Sequence, residues 1–324
     1  MPELRGGTWL NSPPITLADL KGRAVLLDFW DYTCINCIRT LPYLVEWNRR
    51  YEGLGLMVIG IHAPEFYFSR SVENVLRAME RFGINYPVVM DNEYKIWSAF
   101  ANRCWPAKYL VDKDGYIRYF HFGEGSYAET EMAIQLLIKE INPGSLLPDL
   151  MKPIRDTDVP GIHCYRVTPE LYFGYDRGVV GNPEGVKPGA PVEYKTPFEL
   201  REERIYLGGR WLIAHEYAKP HLYGDHEEAS VYLKYTASEV NLVINPNGER
   251  GFRVHIFQDE GYVPADSFGD DVQMGEDGST YIVVGEPRMY NLVKNKEFGT
   301  HSLKLTTSSN ACELYAFTFV SCAA

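Results

Sequence analysis

A chain of 324 residues with 45% hydrophobic and 23% charged side chains can bury two cores of ordinary size, which excludes a long disordered polymer. Its net charge of −11 argues against nucleic acid or an anionic membrane surface as partner. No apolar run reaches the ~18 residues of a membrane-crossing helix, and the start, Met1-Pro2-Glu3-Leu4-Arg5-Gly6-Gly7, lacks the apolar core of a signal peptide. As written the chain is expected in the cytoplasm, or outside it if it is the soluble portion of a longer exported protein.

Residues 1–143 alternate strand and helix signals. The run Ala24-Val25-Leu26-Leu27-Asp28-Phe29-Trp30 reads as a strand buried on both faces, interrupted by one carboxylate. Helical spacing follows over 38–50, with Pro42 expected to kink it, and 56–61 is the next buried strand. Ser71 caps a helix that Gly83 stops; 87–90 is a short strand and 93–101 a helix. Strands at 108–111 and 116–122 flank Asp112-Lys113-Asp114-Gly115, a hairpin signal, and 128–141 is a last amphipathic helix. This pattern predicts an α/β layered domain with a largely parallel sheet and an antiparallel hairpin at one edge.

Residues 144–160, with Pro148, Pro153 and Pro160 and little periodicity, read as a linker. From 161 to 324 the signals are short strands at 204–207, 211–216, 230–235, 240–244, 252–257, 281–284, 289–293, 302–305 and 314–320, with a long loop at 181–191. Many short strands with Gly/Asn/Asp turns predict an all-β, jelly-roll-like sandwich.

The six cysteines are Cys34, Cys37, Cys104, Cys164, Cys312 and Cys322, too scattered for a disulfide framework and without the second close pair a structural zinc site requires. Cys312 and Cys322, at opposite ends of one strand-like run, would sit roughly 33 Å apart and read as buried small hydrophobes. Cys34-Ile35-Asn36-Cys37 is different: it stands between a buried strand and a helix. There the N–H groups and partial positive charge of a helix start favour a thiolate. Two intervening residues let the second sulfur close onto the first, so the pair can carry two electrons as a redox-active disulfide with no other cofactor. Cys34, at the exposed helix start, is the expected nucleophile, titrating below ~8; Cys37, one turn on, is the buried resolving thiol. Asp28, six residues before Cys34 in an apolar strand, should have a raised pKa and can shuttle a proton to or from Cys37.

Thr8-Trp9-Leu10-Asn11, Leu20-Lys21-Gly22-Arg23 leading into the strand, and the Cys34–Cys37 motif together resemble the redoxin branch of the thioredoxin superfamily, which includes the thiol reductases of cytochrome c maturation. Tyr32-Thr33-Cys34-Ile35-Asn36-Cys37-Ile38-Arg39, Ile59-Gly60-Ile61-His62-Ala63-Pro64-Glu65-Phe66 and Trp105-Pro106-Ala107-Lys108-Tyr109-Leu110-Val111-Asp112 resemble the soluble C-terminal region of mycobacterial DipZ-type proteins, and the likeness extends into the β-rich half. The resemblance implies a thioredoxin-like first domain and a thiol–disulfide oxidoreductase acting on protein thiols or disulfides. It implies a proton-shuttle role for Asp28, a Glu near the redox pair at Glu65, and a cis Pro106 facing the cysteines. Trp30 and Trp105 would wall the site, with the residue before Pro106 offering backbone groups to an extended substrate; Cys104 takes no assigned chemistry. The membrane-spanning electron-transfer portion of such proteins is not in this chain, so the electron donor is unidentified. The second domain resembles carbohydrate-binding modules, which makes carbohydrate a candidate ligand.

Two alternatives compete. A peroxiredoxin-type peroxidase would carry a Pro and a Thr at fixed spacing before its cysteine, whereas here Thr33 adjoins Cys34 with no Pro at that spacing. A glycan-binding or adaptor protein would leave the cysteine pair ancillary. No metal is assigned: the loop His221-Leu222-Tyr223-Gly224-Asp225-His226-Glu227-Glu228 and the acidic stretch 266–271 both read as solvated polar segments.

Overall fold

A computed structural model describes residues 1–159, 165–224 and 227–321; Pro160, Cys164, Asp225, His226 and Cys322 lie outside the described residues. The chain divides into two compact units, Met1–Val159 and Pro160–Ala324. Among the described residues no helix is long and apolar enough to cross a membrane.

The first unit runs β1 (Thr8–Leu10), α1 (Leu17–Leu20), β2 (Ala24–Trp30), α2 (Ile35–Tyr51), β3 (Leu56–His62), α3 (Val72–Arg81), β4 (Val88–Met90), α4 (Lys95–Ala99), β5 (Ala107–Val111), β6 (Ile117–Phe122) and α5 (Tyr127–Ile141). All seven residues of β2 are buried because it lies mid-sheet, in the order β1-β4-β3-β2-β5-β6, with packed layers on both faces. Its side chains alternate: Ala24, Leu26 and Trp30 pack with residues of α2, α3 and α5, whereas Val25, Leu27 and Phe29 pack with Leu20, Ile96 and Phe100 on the other face. By this alternation Asp28 points to the α2 side.

Parallel pairing is confined to β2–β3 and β3–β4; β1, β5 and β6 all pair antiparallel. The expectation of a largely parallel sheet thus exceeds what forms. The cause is α4, whose five residues are followed by a short return into β5 beside β2 in the reverse sense. That helix is also shorter than 93–101, because the Asp91 carboxylate accepts the N–H groups of Ile96 (3.1 Å) and Trp97 (2.7 Å) and sets its start. Helix α2 runs on through Pro42 as one element of 17 residues.

Residues 144–159, which composition marks as a linker, pack against α2 and α5. The Gln135 amide donates to Pro148 O (2.8 Å), Met151 N–H to the buried Glu131 carboxylate (2.7 Å), and Ile154 N–H to Tyr43 Oη (2.7 Å), which itself donates to Asp158 (2.8 Å). Prolines and missing periodicity signal only the lack of regular structure; here the strap's backbone is satisfied by side chains of the helices it crosses.

The second unit contains β7 (Leu171–Tyr172), β8 (Val192–Tyr194), β9 (Ile205–Ile213), β10 (Ala218–Pro220), β11 (Ala229–Asn245), β12 (Phe252–Gln258), β13 (Gly261–Tyr262), β14 (Gln273–Met274), β15 (Thr280–Val284), β16 (Arg288–Thr307) and β17 (Glu313–Val320). Pairs of strands expected as separate are continuous in β9, β11 and β16. In β11 and β16 the intervening residues pair with each other, Thr236 with Thr300 and Ala237 with Gly299, and a register shift between Ala237 and Glu239 takes up the irregularity. β11 pairs with β9 over its first half and β17 over its second, so one long strand serves two sets of neighbours in an arrangement consistent with a β-sandwich. Cys312 is buried in this unit's core. The acidic stretch 266–271 is paired: Asp266 with Lys296 (2.9 Å), Asp270 with Lys294 (2.7 Å) and Asp271 with Arg288 (2.7 Å), all on β16.

Candidate redox active site

The first cysteine is the N-cap of α2, in extended conformation (φ −87°, ψ 115°), and its Sγ accepts the Cys37 N–H at 3.2 Å. A sulfur thus occupies the position a Ser or Asp oxygen usually takes at a helix start. Cys34 is half-buried and Cys37 fully buried, both free thiols. Burial pushes the Cys34 thiol up; the N–H of Cys37 pulls it down, and the carboxylates of Glu65 and Asp31 add to the rise. The shift runs opposite to the sequence-based expectation of a value below ~8: burial outweighs the helix start, and Asp31 and Glu65, the latter brought near by the fold, add to it. Cys37 is held well above the usual thiol range by burial first, then by Cys34, with Asp28 contributing in the same direction. The order within the pair is preserved, Cys34 being the easier to ionise.

Asp28 is buried on the α2 side of β2, and neither carboxylate oxygen makes a hydrogen bond among the described residues. Burial pushes it up to about 7, against the opposing pull of Lys108. Lys108 lies directly across the β2–β5 ladder from Asp28, fully buried, its Nζ donating to Gly123 O at 3.2 Å. Burial depresses its ammonium pKa and the carboxylate of Asp28 offsets part of that. Lys108 was missed from sequence. Its signal was a single charge in an otherwise apolar strand, the same signal that marked Asp28.

Glu65 sits three residues beyond β3, half-buried, with its charge felt at Cys34. The Trp105–Pro106 peptide is cis. The β2–β5 ladder ends at Phe29 opposite Ala107, so Pro106 enters the sheet where β2 gives way to the loop carrying Cys34. Trp105 is half-buried, its Nε1 donating to Ala63 O (3.0 Å) and its ring packed 4.5 Å from Trp97. Trp30 is fully buried against His62 at 5.2 Å, a core position with no exposed face. Cys104 is half-buried with its thiol on Pro106 O at 3.9 Å.

Residues 8–120 match the AhpC/TSA family, and residues 168–319 match the family described as thioredoxin like C-terminal domain. The chain is 30% identical over 136 residues to the thiol-disulfide oxidoreductase ResA of Bacillus anthracis, covering 42% of this chain and 73% of that protein. The chain belongs to the thioredoxin-like thiol–disulfide oxidoreductases. Within this family it is 38% identical over 251 residues to DipZ of Mycobacterium tuberculosis, covering 76% of this chain and 35% of DipZ, so the match spans about a third of that relative's length. A solved thiol-disulfide isomerase from Corynebacterium glutamicum is similar over 42% of this chain and 96% of its own, at 22% identity and a TM-score of 0.40.

Proposed function

We propose that the protein exchanges its Cys34–Cys37 pair with disulfides of protein substrates through a mixed disulfide at Cys34. The supporting observation is the asymmetry of the pair: a half-buried sulfur at the helix start, and a buried one that feels the buried Asp28 carboxyl group, whose oxygens make no hydrogen bond among the described residues. In the reducing direction the Cys34 thiolate attacks a substrate disulfide; that S–S bond breaks, Cys34–S–substrate forms, and the first substrate thiolate leaves and takes up a proton. Asp28 then accepts the Cys37 proton, the Cys37 thiolate attacks Cys34 Sγ, and the second substrate thiol departs. The substrate has gained two electrons and the protein holds the Cys34–Cys37 disulfide. Lys108 stabilises the carboxylate form of Asp28 that receives the Cys37 proton. An unidentified electron donor returns the pair to the dithiol, and the backbone ahead of Pro106 offers a short β-pairing to the substrate.

Reduction of a small disulfide protein in the presence of dithiothreitol tests this reading. Cys34→Ser should abolish turnover and Cys37→Ser should accumulate a mixed disulfide detectable by mass spectrometry. Consumption of peroxide by Cys37→Ser at the wild-type rate, without disulfide reduction by the wild type, would favour the peroxidase instead.

One observation also favours a carbohydrate-binding second unit. The strand registers place Tyr232, Lys304, Phe257 and Tyr262 in one row across β11, β16, β12 and β13, with the Phe257 and Tyr262 rings stacked at 4.9 Å. Sugar rings stack on such faces through their C–H surfaces. Calorimetry with oligosaccharides, and loss of any signal in Phe257→Ala, checks it; no heat from any sugar would leave a structural or protein-docking role.

A further inference from the structure

Asp31 is fully buried three residues before Cys34, and its two carboxylate oxygens face different loops. Oδ1 accepts both the backbone N–H (2.7 Å) and the hydroxyl (2.6 Å) of Thr33, which closes the turn leading into the nucleophile. Oδ2 accepts the backbone N–H of Glu65 at 2.8 Å, across the sheet end from β3. The Asp31 carbonyl also accepts the Cys34 N–H at 3.3 Å. Beneath this bracket His62 is fully buried, its Nε2 3.8 Å from Asp31 Oδ2 and its ring stacked on Tyr32 at 5.7 Å. Burial lowers the His62 pKa, against the opposing pull of the Asp31 carboxylate. A carboxylate serves here because it accepts on both sides; an amide would turn one donor toward Glu65 N–H, and a hydroxyl would not reach it.

We infer that Asp31 is a positioning residue that latches the Glu65 segment to the Cys34 loop, so that the influence of Glu65 on the nucleophile depends on Asp31. The inference deepens the proposed function by assigning what holds an acid beside its reacting thiol. It is read out by alkylation, which does not require that function. The charged and titratable groups facing Cys34 are Glu65, Asp31 and Cys37.

The test is a double-mutant cycle on the full chain: rates of iodoacetamide labelling of Cys34, mapped by peptide mass spectrometry from pH 6 to 10, for wild type, Asp31→Asn, Glu65→Gln and the double variant. Removing either charge should speed labelling at neutral pH by roughly 3- to 10-fold, one pKa unit being tenfold in thiolate fraction. Glu65→Gln should add less than about twofold in the Asp31→Asn background, because the segment is no longer held. Full multiplication of the two effects, or an Asp31→Asn profile superimposed on wild type, overturns the proposal. If Asp31→Asn does not fold, Asp31→Ser keeps an acceptor for Thr33 while losing reach to Glu65, and is read the same way. Absence of disulfide reductase activity would count against the proposed function and leave the labelling cycle intact.

Discussion

The N–H groups at the start of α2 favour a thiolate at Cys34, while burial, Glu65 and Asp31 oppose it, and the opposition is stronger. Labelling of the reduced protein should therefore be slow at neutral pH and rise with pH into the alkaline range, Cys34 ahead of Cys37, whose buried thiol is pushed up by burial, by Cys34 and by Asp28. Time-resolved alkylation with peptide mapping checks this; Cys37 reacting first would reverse the assignment of nucleophile. Asp28 makes a second pH-dependent contribution. Its folded pKa of about 7 lies above the ordinary carboxylate value, so its contribution to stability is complete below about pH 4 and is lost as pH rises toward 7. Asp28→Asn should accordingly unfold at higher urea concentration than wild type at pH 8, by up to about 4 kcal/mol, with the gap closing at pH 4. The same substitution should flatten the inflection near pH 7 in the disulfide-exchange rate. Asp28 was legible in sequence as a charge inside an apolar run. Lys108 carried the same signal but opens the strand before a hairpin, where a Lys also reads as an edge residue, and an Asp before a helix, as at Asp31, reads as a cap. Only register and loop closure show what each one faces.

Among the elements, those of the first unit were legible because their signals are local: continuous apolar runs for central strands, Ser71 and Gly83 for the bounds of α3. The long strands of the second unit were read in pieces. Period-2 burial holds over the first half of β11, but its second half is nearly all buried, and polar residues at the bend look like a turn until β16 is seen beside them. Packing between elements leaves one tight position in the redox sheet. A Cβ on Gly60 of β3 would lie 2.9 Å from Trp30 Nε1 and 3.1 Å from Val88 Cγ2. Gly60→Ala should destabilise the protein by about 1–3 kcal/mol through overpacking. Chemical denaturation measures this, and an unchanged midpoint would show that Trp30 can shift without cost.

At the scale of the whole molecule, the boundary of the redox unit decides which part of the chain can act alone. Composition places the break at 143, whereas the compact unit extends to Val159. The strap between these points answers groups that would otherwise be exposed or unpaired. Glu131, 1% exposed, accepts from Tyr51 Oη (2.6 Å) and Met151 N–H (2.7 Å), and Arg155 reaches Glu124 at 3.5 Å, which also pairs with Arg39 on α2 just past Cys37. At about 1 kcal/mol net for each hydrogen bond, removing the strap should cost roughly 2–4 kcal/mol, a large share of a small domain's stability. Residues 1–159 should thus fold and reduce disulfides, while residues 1–143 should be markedly less stable, with lower activity that falls further on warming. Thermal unfolding and disulfide reduction on the two fragments separate the outcomes. Equal melting temperatures would return the strap to the role of a linker, and inactivity of a folded 1–159 fragment would assign the second unit a part in the catalytic site or substrate groove.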